Sequence, residues 1–410
     1  MDAKKFHIVL VTPGQPATNP RLVKEATSLA HGGYKVTVVY SYWTNWALQF
    51  DAQIIQENSS VNWQLVAGSP HKNTVSFFFS RVMHRVFKYS SVFIPAHKKY
   101  RIGRSSFALI NATQRIQADL YIAHNLAALP AAAMAAKKNK AIYAFDAEDY
   151  HRGQSANATE ENKLAATIEN RYLPGVAYLS AASPLIAAKY QGHYPDLTPV
   201  MINNVFSIHN SCMQVEEYRG KGSLRLFWFS QTVGSGRGIE MVIGAMNDLK
   251  GIPLEFTILG YCTEAEKERL LKLAGSVGSQ LQFISPVAEK ELFKIAAQHH
   301  IGLALEVEDT VNRDICLTNK LFTYLLSGLA IIATRTTAQN QFLQMHPGVG
   351  KVLTKGDEAA LEVIIREWYD NPEALNASRS NALSLAKKVF NWEAEQEMFL
   401  HAVNAVLSKC

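Results

Sequence analysis

Two stretches of this chain place anion-binding residue types at telling spacings. Leu224–Gly238 reads LRLFWFSQTVGSGRG, an apolar run entering a turn in which Gly234, Gly236 and Gly238 surround Arg237. Glycines let the backbone approach a ligand closely, and a guanidinium offers a planar, permanently charged fork for phosphate oxygens. The same glycines would serve a plain strand-to-helix turn equally well. Eighty residues on, Thr318–Ala333 reads TNKLFTYLLSGLAIIA. Thr318 or Asn319 is a good N-cap for a helix continuing over Lys320–Ser327, and a helix start attracts anions through its free N–H groups and its dipole. Lys320 opposes that dipole from the first turn, a misfit that points to an anionic ligand; otherwise it is an exposed lysine without a role. Together the stretches outline a pocket for a nucleotide diphosphate. A dinucleotide fingerprint is absent: the glycines run Gly-x-Gly-x-Gly, and the next strand, Leu254–Leu259, ends at Gly260 and Tyr261 where an acidic residue would be needed.

A second group of chemical interest is Asp146-Ala147-Glu148-Asp149-Tyr150-His151, following the apolar run Ala141–Phe145, with His124 ending the run Leu120–His124. Carboxylates beside imidazoles can accept a hydroxyl proton and orient the group that loses it. The alternative is a capped, solvated loop between a strand and a helix.

The elements needed to hold these groups alternate along the chain. Strand patterns at His7–Thr12, Val36–Tyr40, Leu120–His124 and Ala141–Phe145 are separated by helical patterns at Arg21–His31, Leu126–Lys137 and Glu160–Leu173. After a polar break at Phe206–Gly222 the rhythm returns with strands at Leu224–Phe229, Leu254–Leu259, Leu281–Ile284, Ile301–Leu305 and Ala330–Ala333. Such alternation predicts parallel sheets with helices on both faces, in an α/β fold with ligands at the carboxyl ends of the strands. The expected organisation is a doubly wound domain over 1–205, a linker over 206–222, a second doubly wound domain over 223–385, and a crossover helix over 386–410. That last helical pattern, with Trp392 and Phe399, is expected to pack back across the linker.

At 410 residues the chain is too long for one ordinary core. Its 48% hydrophobic and 19% charged residues exclude a disordered chain. The first apolar run is cut short by Thr12-Pro13-Gly14 and reads as a buried strand, not a signal peptide. Leu126–Ala136 is too short to span a bilayer. Four scattered cysteines, Cys212, Cys262, Cys316 and Cys410, suit a reducing compartment and predict neither a disulfide framework nor a metal site. The expected location is the cytoplasm. Charge is uneven: no acidic residue lies between Asn58 and Ala118, where nine lysines and arginines stand, and without that segment the net charge of +6 would be −3. Within it, Val75–Ile94 interleaves Phe77, Phe78, Phe79, Val82, Phe87, Tyr89 and Phe93 with basic residues. This composition suits a helix resting on an anionic membrane surface, with residues 72–104 as the contact, and equally a solvated basic face over a core helix. Nucleic acid is not expected as a partner, since the basic character is confined to this segment and no nucleic-acid motif accompanies it.

In order and spacing these residues resemble the GT-B glycosyltransferases of the retaining type that share the family-four C-terminal domain. The resemblance covers nearly the whole chain. It rests on Thr12-Pro13-Gly14 through Asn19-Pro20-Arg21, Tyr121-Ile122-Ala123-His124-Asn125, Glu169-Asn170-Arg171-Tyr172-Leu173, Val200–Asn204, Ser230–Gly238, and Asn319–Gly328 with Leu329-Ala330-Ile331-Ile332. It implies two Rossmann-like domains facing a central cleft and transfer of a sugar from a nucleotide-diphosphate donor, UDP- or GDP-linked, to a glycan or lipid-linked acceptor. It also implies retention of configuration, no metal and no further cofactor. The implied donor set is Gly14, Gln231, Gly236, Arg237, Gly260, Val287, Glu306, Thr318, Asn319 and Lys320. The acceptor would lie near Gly14, His124 and the acidic loop, with Asp149 or Asp146 taking its proton and His151 or His124 holding the sugar. Two departures stand out. Ser230 or Gln231 occupies the place of one phosphate-binding cation, and Cys316 and Thr323 occupy the places of paired glutamates, leaving Glu306 as a substitute for the ribose or sugar contact. Those departures favour a competing reading, a GT-B protein that binds a nucleotide or glycan without turnover. An epimerase of the same architecture is a third reading, which would leave the basic aromatic segment without a use.

Overall fold

The computed structural model describes residues 5–156, 158–211, 216–306 and 309–409. Cys212 and Cys410 lie outside the described residues. Cys262 and Cys316 are not joined in a disulfide.

Thirteen strands form two parallel sheets among the described residues. The first holds β1 (His7–Val11), β2 (Lys35–Ser41), β3 (Asn62–Val66), β4 (Leu120–His124), β5 (Ile142–Ala147), β6 (Leu179–Ala181) and β7 (Val200–Met201), in the order β3-β2-β1-β4-β5-β6-β7. The second holds β8 (Leu224–Thr232), β9 (Leu254–Tyr261), β10 (Leu281–Ile284), β11 (Ile301–Ala304), β12 (Ala330–Thr334) and β13 (Gly350–Leu353), in the order β10-β9-β8-β11-β12-β13. The central strands read as near-continuous apolar runs because both faces are covered, as parallel sheets require; Ile8–Val11, Leu120–Ala123 and Ala330–Ala333 are fully buried. In each sheet the order reverses beside the first strand. The crevices for ligands therefore open at the carboxyl ends of β1 and β4, and of β8 and β11.

The chain divides into two compact units, Met1–Ile202 with Gln396–Cys410, and Asn203–Glu395. The crossing lies just upstream of the polar stretch 206–222. Within the second unit, residues 203–208 are tied to 392–395: Glu395 accepts from Asn203 N and Nδ2 at 3.0 and 2.6 Å, Glu393 accepts from Ser207 Oγ and Ile208 N at 2.5 and 3.0 Å, and Trp392 N donates to Phe206 O. The terminal helical pattern is two helices, Pro372–Lys388 and Trp392–Leu407. Asn391 makes the break: its Nδ2 donates to Ala386 O and Lys387 O, and its Oδ1 accepts from Ala394 N. One side chain closes one helix and caps the next. In the first unit Gln396 accepts from Ser28 Oγ at 2.6 Å, which docks the last helix beside Pro20–His31.

The core of the second unit contains two buried histidines and a buried arginine. His300 Nδ1 accepts the Arg225 N–H at 3.0 Å, and His299 Nε2 bonds Thr257 Oγ1 at 2.8 Å. Burial pushes His299 down to about 4 and, with the Arg379 and Arg225 charges, His300 down to about 3. Both are neutral in the fold and take up protons more readily when unfolded. Their contribution is therefore complete above pH 6.5 and is lost as pH falls from 6.5 towards 4 and 3. We expect acidification to pH 5 to cost on the order of 4 kcal/mol for the pair, read as faster amide exchange in β8 and β11. His299→Gln/His300→Gln should flatten that acid limb, and an unchanged limb would contradict the assignment.

Candidate functional site

The second-unit crevice is built by β8, β11 and the helix Asn319–Leu326. Gly302 in β11 lets that helix lie close: a Cβ there would stand 2.3 Å from the Tyr324 ring, and Tyr324 Oη donates to Leu303 O. The helix start is thereby held at the carboxyl end of β11. After β8 the chain turns through Gly236 and Gly238, with φ of +71° and +81°. A Cβ on Gly238 would meet Leu305 at 2.5 Å, whereas one on Gly236 would meet nothing within 4 Å. Gly238 is thus required by packing, and Gly236 faces open space.

A pocket at this point is lined by Trp228, Gly236, Arg237, Leu305, Glu306, Arg313 and Lys320. Arg237 donates to Ser230 Oγ at 2.9 Å and has no carboxylate partner among the described residues. Lys320 is buried; its Nζ donates to Glu306 Oε1 at 2.6 Å and lies 5.8 Å from the Trp228 ring centroid. Thr318 caps the helix by position but not by bond, since its hydroxyl donates to Glu306 Oε1 at 3.3 Å. The first amides of the helix therefore keep their anion-binding capacity. Burial alone would raise the Glu306 pKa, but Lys320, the Thr318 hydroxyl and the Arg237 charge hold it below its ordinary value. Among the described residues the crevice is thus lined by three cations, Arg237, Lys320 and Arg313, the last paired with Asp309 at 2.9 Å, and by one carboxylate, Glu306, beside an uncapped helix start.

The other expected donor residues fall into place differently. Asn319 is the first residue of the helix, Gln231 is exposed near the end of β8, and Val287 is half-buried in the loop between β10 and the helix Glu289–Ala296. Gly260 does not open space for a ligand: a Cβ there would stand 2.4 Å from Ser230 O, where β8 and β9 shift register between Phe229 and Thr232. Its bareness serves strand pairing. Thr323 is fully buried, with no hydrogen bond to its Oγ1 among the described residues. Trp228, Leu305 and Arg313 were not anticipated. Trp228 stands within the apolar run of β8, where nothing in the sequence separates a core residue from a pocket wall.

In the first unit Gly14 follows β1, where Thr18 Oγ1 lies 3.0 Å from the place of its missing Cβ. The four expected catalytic residues are not gathered on an open surface. Parallel pairing sets His124 in β4 opposite Asp146 in β5, and Asp146 opposite Ser180 in β6. Asp146 belongs to the strand, not to the loop, and is buried like His124. Arg21, arriving from the helix after β1, grips Asp146 through Nε and Nη2 at 2.6 Å each and donates through Nη1 to Ile202 O. Its Nε also lies 3.5 Å from Glu25 Oε1. His124 Nδ1 lies 3.2 Å from Asp146 Oδ2 and 3.1 Å from Glu148 Oε1. Its Nε2 lies 3.1 Å from Glu25 Oε2, within ion-pair range although off the line of a hydrogen bond. Burial alone would raise Asp146 and lower His124. The Arg21 and His124 charges instead hold Asp146 well below the carboxylate range, and Glu25 with the two other carboxylates holds His124 well above the imidazole range. Glu25, the carboxylate outside the Arg21 fork, is pushed up by burial and by Asp146.

Glu25, His124 and Asp146 could also ligate a metal by proximity. Both imidazole nitrogens already face carboxylates and the Arg21 fork occupies both Asp146 oxygens, so a metal would have to displace these contacts. Arg21 and Glu25 were missed as a site, though Arg21 carried the same signal as Lys320, a cation in the first turn of a helix.

Asp149 and His151 sit farther along. Asp149 is half-buried and accepts from Gln154 Nε2 at 2.9 Å. His151 is buried, with Nδ1 3.3 Å from Gln154 Oε1. The loop is pinned by Arg152, which pairs with Glu169, and by the Tyr190 hydroxyl, which donates to Glu169 Oε1 at 3.0 Å and lies 3.3 Å from Asp149 O. Glu169-Asn170-Arg171 thus anchors the acidic loop through its first residue, and through Asn170, which accepts from Arg152 Nη2 at 2.9 Å.

No protein-family model and no curated protein matches the sequence. Solved structures do match along nearly its whole length. Sucrose-phosphate synthase from Thermosynechococcus elongatus is 11% identical with a TM-score of 0.72, covering 99% of this chain and 100% of its own. Anabaena HepE, solved with UDP, is 13% identical with a TM-score of 0.67, at 98% and 100% coverage. A glycosyltransferase from Rickettsia africae is 10% identical with a TM-score of 0.70, at 100% coverage of both. The doubly wound pair of sheets with their switch-point crevices is the GT-B fold of these glycosyltransferases.

Proposed function

We propose that the protein is a glycosyltransferase that moves a sugar from a nucleotide-diphosphate donor to a glycan or lipid-linked acceptor, retaining configuration, in cell-surface polysaccharide synthesis. The observation that carries this is the β8–β11 crevice. Arg237 with no carboxylate in ion-pair range among the described residues, the open side of Gly236 and an uncapped helix start converge there, in a fold shared with a protein solved with UDP. The diphosphate would take Arg237 and the helix amides. Lys320 would turn from Glu306 to the developing charge, in the manner of fixed cations at a leaving group, so the chemistry asks for neither a metal nor another cofactor. Glu306, released, would accept from a ribose or sugar hydroxyl. Asp149, the most accessible of the four acceptor-side candidates, would take the acceptor proton.

A test is thermal shift with UDP, GDP and ADP and their sugar conjugates. A ligand at a hundred times its Kd should stabilise the second unit by about 2.7 kcal/mol. No shift with any nucleotide at millimolar concentration would refute the donor site. Burial of His124, Asp146 and His151 favours a second reading, a nucleotide-binding protein without turnover. Donor hydrolysis or transfer by a chain that shows the shift separates the two.

We also place the acceptor side on an anionic membrane surface. The helix Thr74–Ser90 and the turn after it expose Val75, Phe78, Phe79, Val82, Val86, Tyr89 and Phe93, the last at 85%. This apolar stripe at helical spacing has exposed Arg85 and Lys88 beside it. No helix among the described residues is long and apolar enough to cross a membrane. Phosphatidylglycerol vesicles should sediment the chain, and Phe78→Ser/Phe79→Ser/Phe93→Ser should weaken this at least tenfold. Undiminished sedimentation would refute the contact.

A further inference from the structure

One group of charges is used neither by the donor crevice nor by the exposed apolar stripe. Arg81 lies on the helix Thr74–Ser90 in register with Phe77 and His84, the half-buried face, while the exposed stripe runs through Val75, Phe78, Val82, Val86 and Tyr89. Its guanidinium carbon is 4.6 Å from the Phe77 ring centroid, and Phe77 packs edge-on against Tyr42 in the segment after β2. Arg104 lies 5.0 Å over Trp43, which is 51% exposed. Ser80 Oγ donates to Arg104 O at 3.4 Å, joining the helix to this segment. Ser105 Oγ is 2.7 Å from Ser41 Oγ, which reaches Pro13 O at 2.5 Å, and Ser41 N donates to Gly14 O. These bonds hold the chain at Arg104–Ser105 beside the Pro13–Gly14 loop, at the carboxyl ends of β1 and β2, and Arg81 is near enough for the two charges to act on each other.

Among the described residues neither charge has a carboxylate in ion-pair range. The segment from 58 to 118 contains no acidic residue. Burial and then the Arg104 charge lower the Arg81 pKa, with only Tyr42 acting the other way, and burial lowers His84 as well. Two like charges fixed on aromatic rings are preorganised for an oxyanion, because the cost of ordering their side chains is met before binding. The loop after β1 also borders the crevice at the carboxyl ends of β1 and β4, where ligands of doubly wound sheets sit.

We propose that Arg81 and Arg104 bind the phosphate group of a phosphorylated acceptor, with Trp43 beside them to meet the apolar face of its sugar. Calling the ligand an acceptor rests on the glycosyltransferase reading; the binding of a phosphate ester does not. Arg85 and Lys88, on the exposed side, serve the membrane instead.

The test is calorimetric titration of the full chain, with UDP present to fill the donor crevice, using glucose 6-phosphate, inorganic phosphate and glucose as probes. Glucose 6-phosphate should bind at least tenfold more tightly than glucose. Arg81→Gln and Arg104→Gln should each weaken it at least tenfold, Arg104→Lys less, with melting temperature and UDP affinity unchanged. If UDP fails to bind while the ester still binds through the arginines, the donor reading falls and this subsite stands. Equal ester affinity in the variants overturns the proposal. So does loss of vesicle binding in Arg81→Gln/Arg104→Gln without any ester binding, which would assign the arginines to lipid headgroups.

Discussion

Arg21→Met is expected to destabilise the first unit by about 3–5 kcal/mol, the usual cost of removing one partner from a buried ion pair. Arg21 is fully buried, and its fork supplies two of the hydrogen bonds that let Asp146 stay charged, with Ser180 Oγ supplying another at 2.6 Å. Without it Asp146, Glu25 and Glu148 face His124 alone, and the Ile202 carbonyl loses a donor. Arg21→Met/Asp146→Asn should recover part of the loss, because the charge pair is then removed together and the amide can still accept from Ser180. Amide exchange in β4 and β5 under mild denaturant reads this locally; a loss below about 1 kcal/mol would mean that the cluster is solvated. The His124 contribution has the opposite pH sense to that of His299 and His300. Its folded pKa is raised, so its stabilisation is complete below 6.5 and is lost as pH rises through the folded value. Alkaline pH should therefore loosen the first unit, and acid pH the second.

Arg237→Ala is expected to separate function from stability. Its only hydrogen bond among the described residues is to Ser230, and the residue is half-buried, so its loss should change stability by less than about 1 kcal/mol. Losing a fixed cation at the leaving diphosphate should reduce kcat about 10²–10³-fold, with a smaller change in KM if the contact strengthens as charge develops. Lys320→Ala would not give so clean an answer, since it leaves the half-buried Glu306 without the cation at 2.6 Å. Initial rates of donor hydrolysis or transfer, beside melting curves, decide the matter; a variant that melts early or turns over normally would remove Arg237 from the mechanism.

How much was readable from the chain follows from how far apart the cooperating residues are. The Gly236-Arg237-Gly238 turn, the Thr318 helix start and the alternation of strands and helices are local patterns, written within one or two turns of chain, and each stands where the sequence places it. Local reading caught the aromatic and basic composition of Val75–Ile94 but not its faces: Phe78, Phe79, Val82, Tyr89 and Phe93 are exposed, whereas Phe77 is half-buried and Phe87 is buried, packed against Tyr100 and Phe107. It could not tell that His124 and Asp146 are sealed. That depends on the register of β4 against β5 and on Arg21, 125 residues from Asp146 in sequence, arriving between them. Nor could it tell that Gly260 yields to the Ser230 carbonyl rather than to a ligand, or that Thr318 and Lys320 turn their polar atoms to Glu306. By itself the sequence determined the alternation of strands and helices, the central strands of both sheets and which residue types stand at their ends, but not β3, β6 and β13, which are short or only partly apolar. Only the tertiary structure decided which charges neutralise one another and which, like Arg237, Arg81 and Arg104, have no carboxylate within ion-pair distance among the described residues, because neutralisation is a property of distances across the sheet and not of spacing along the chain.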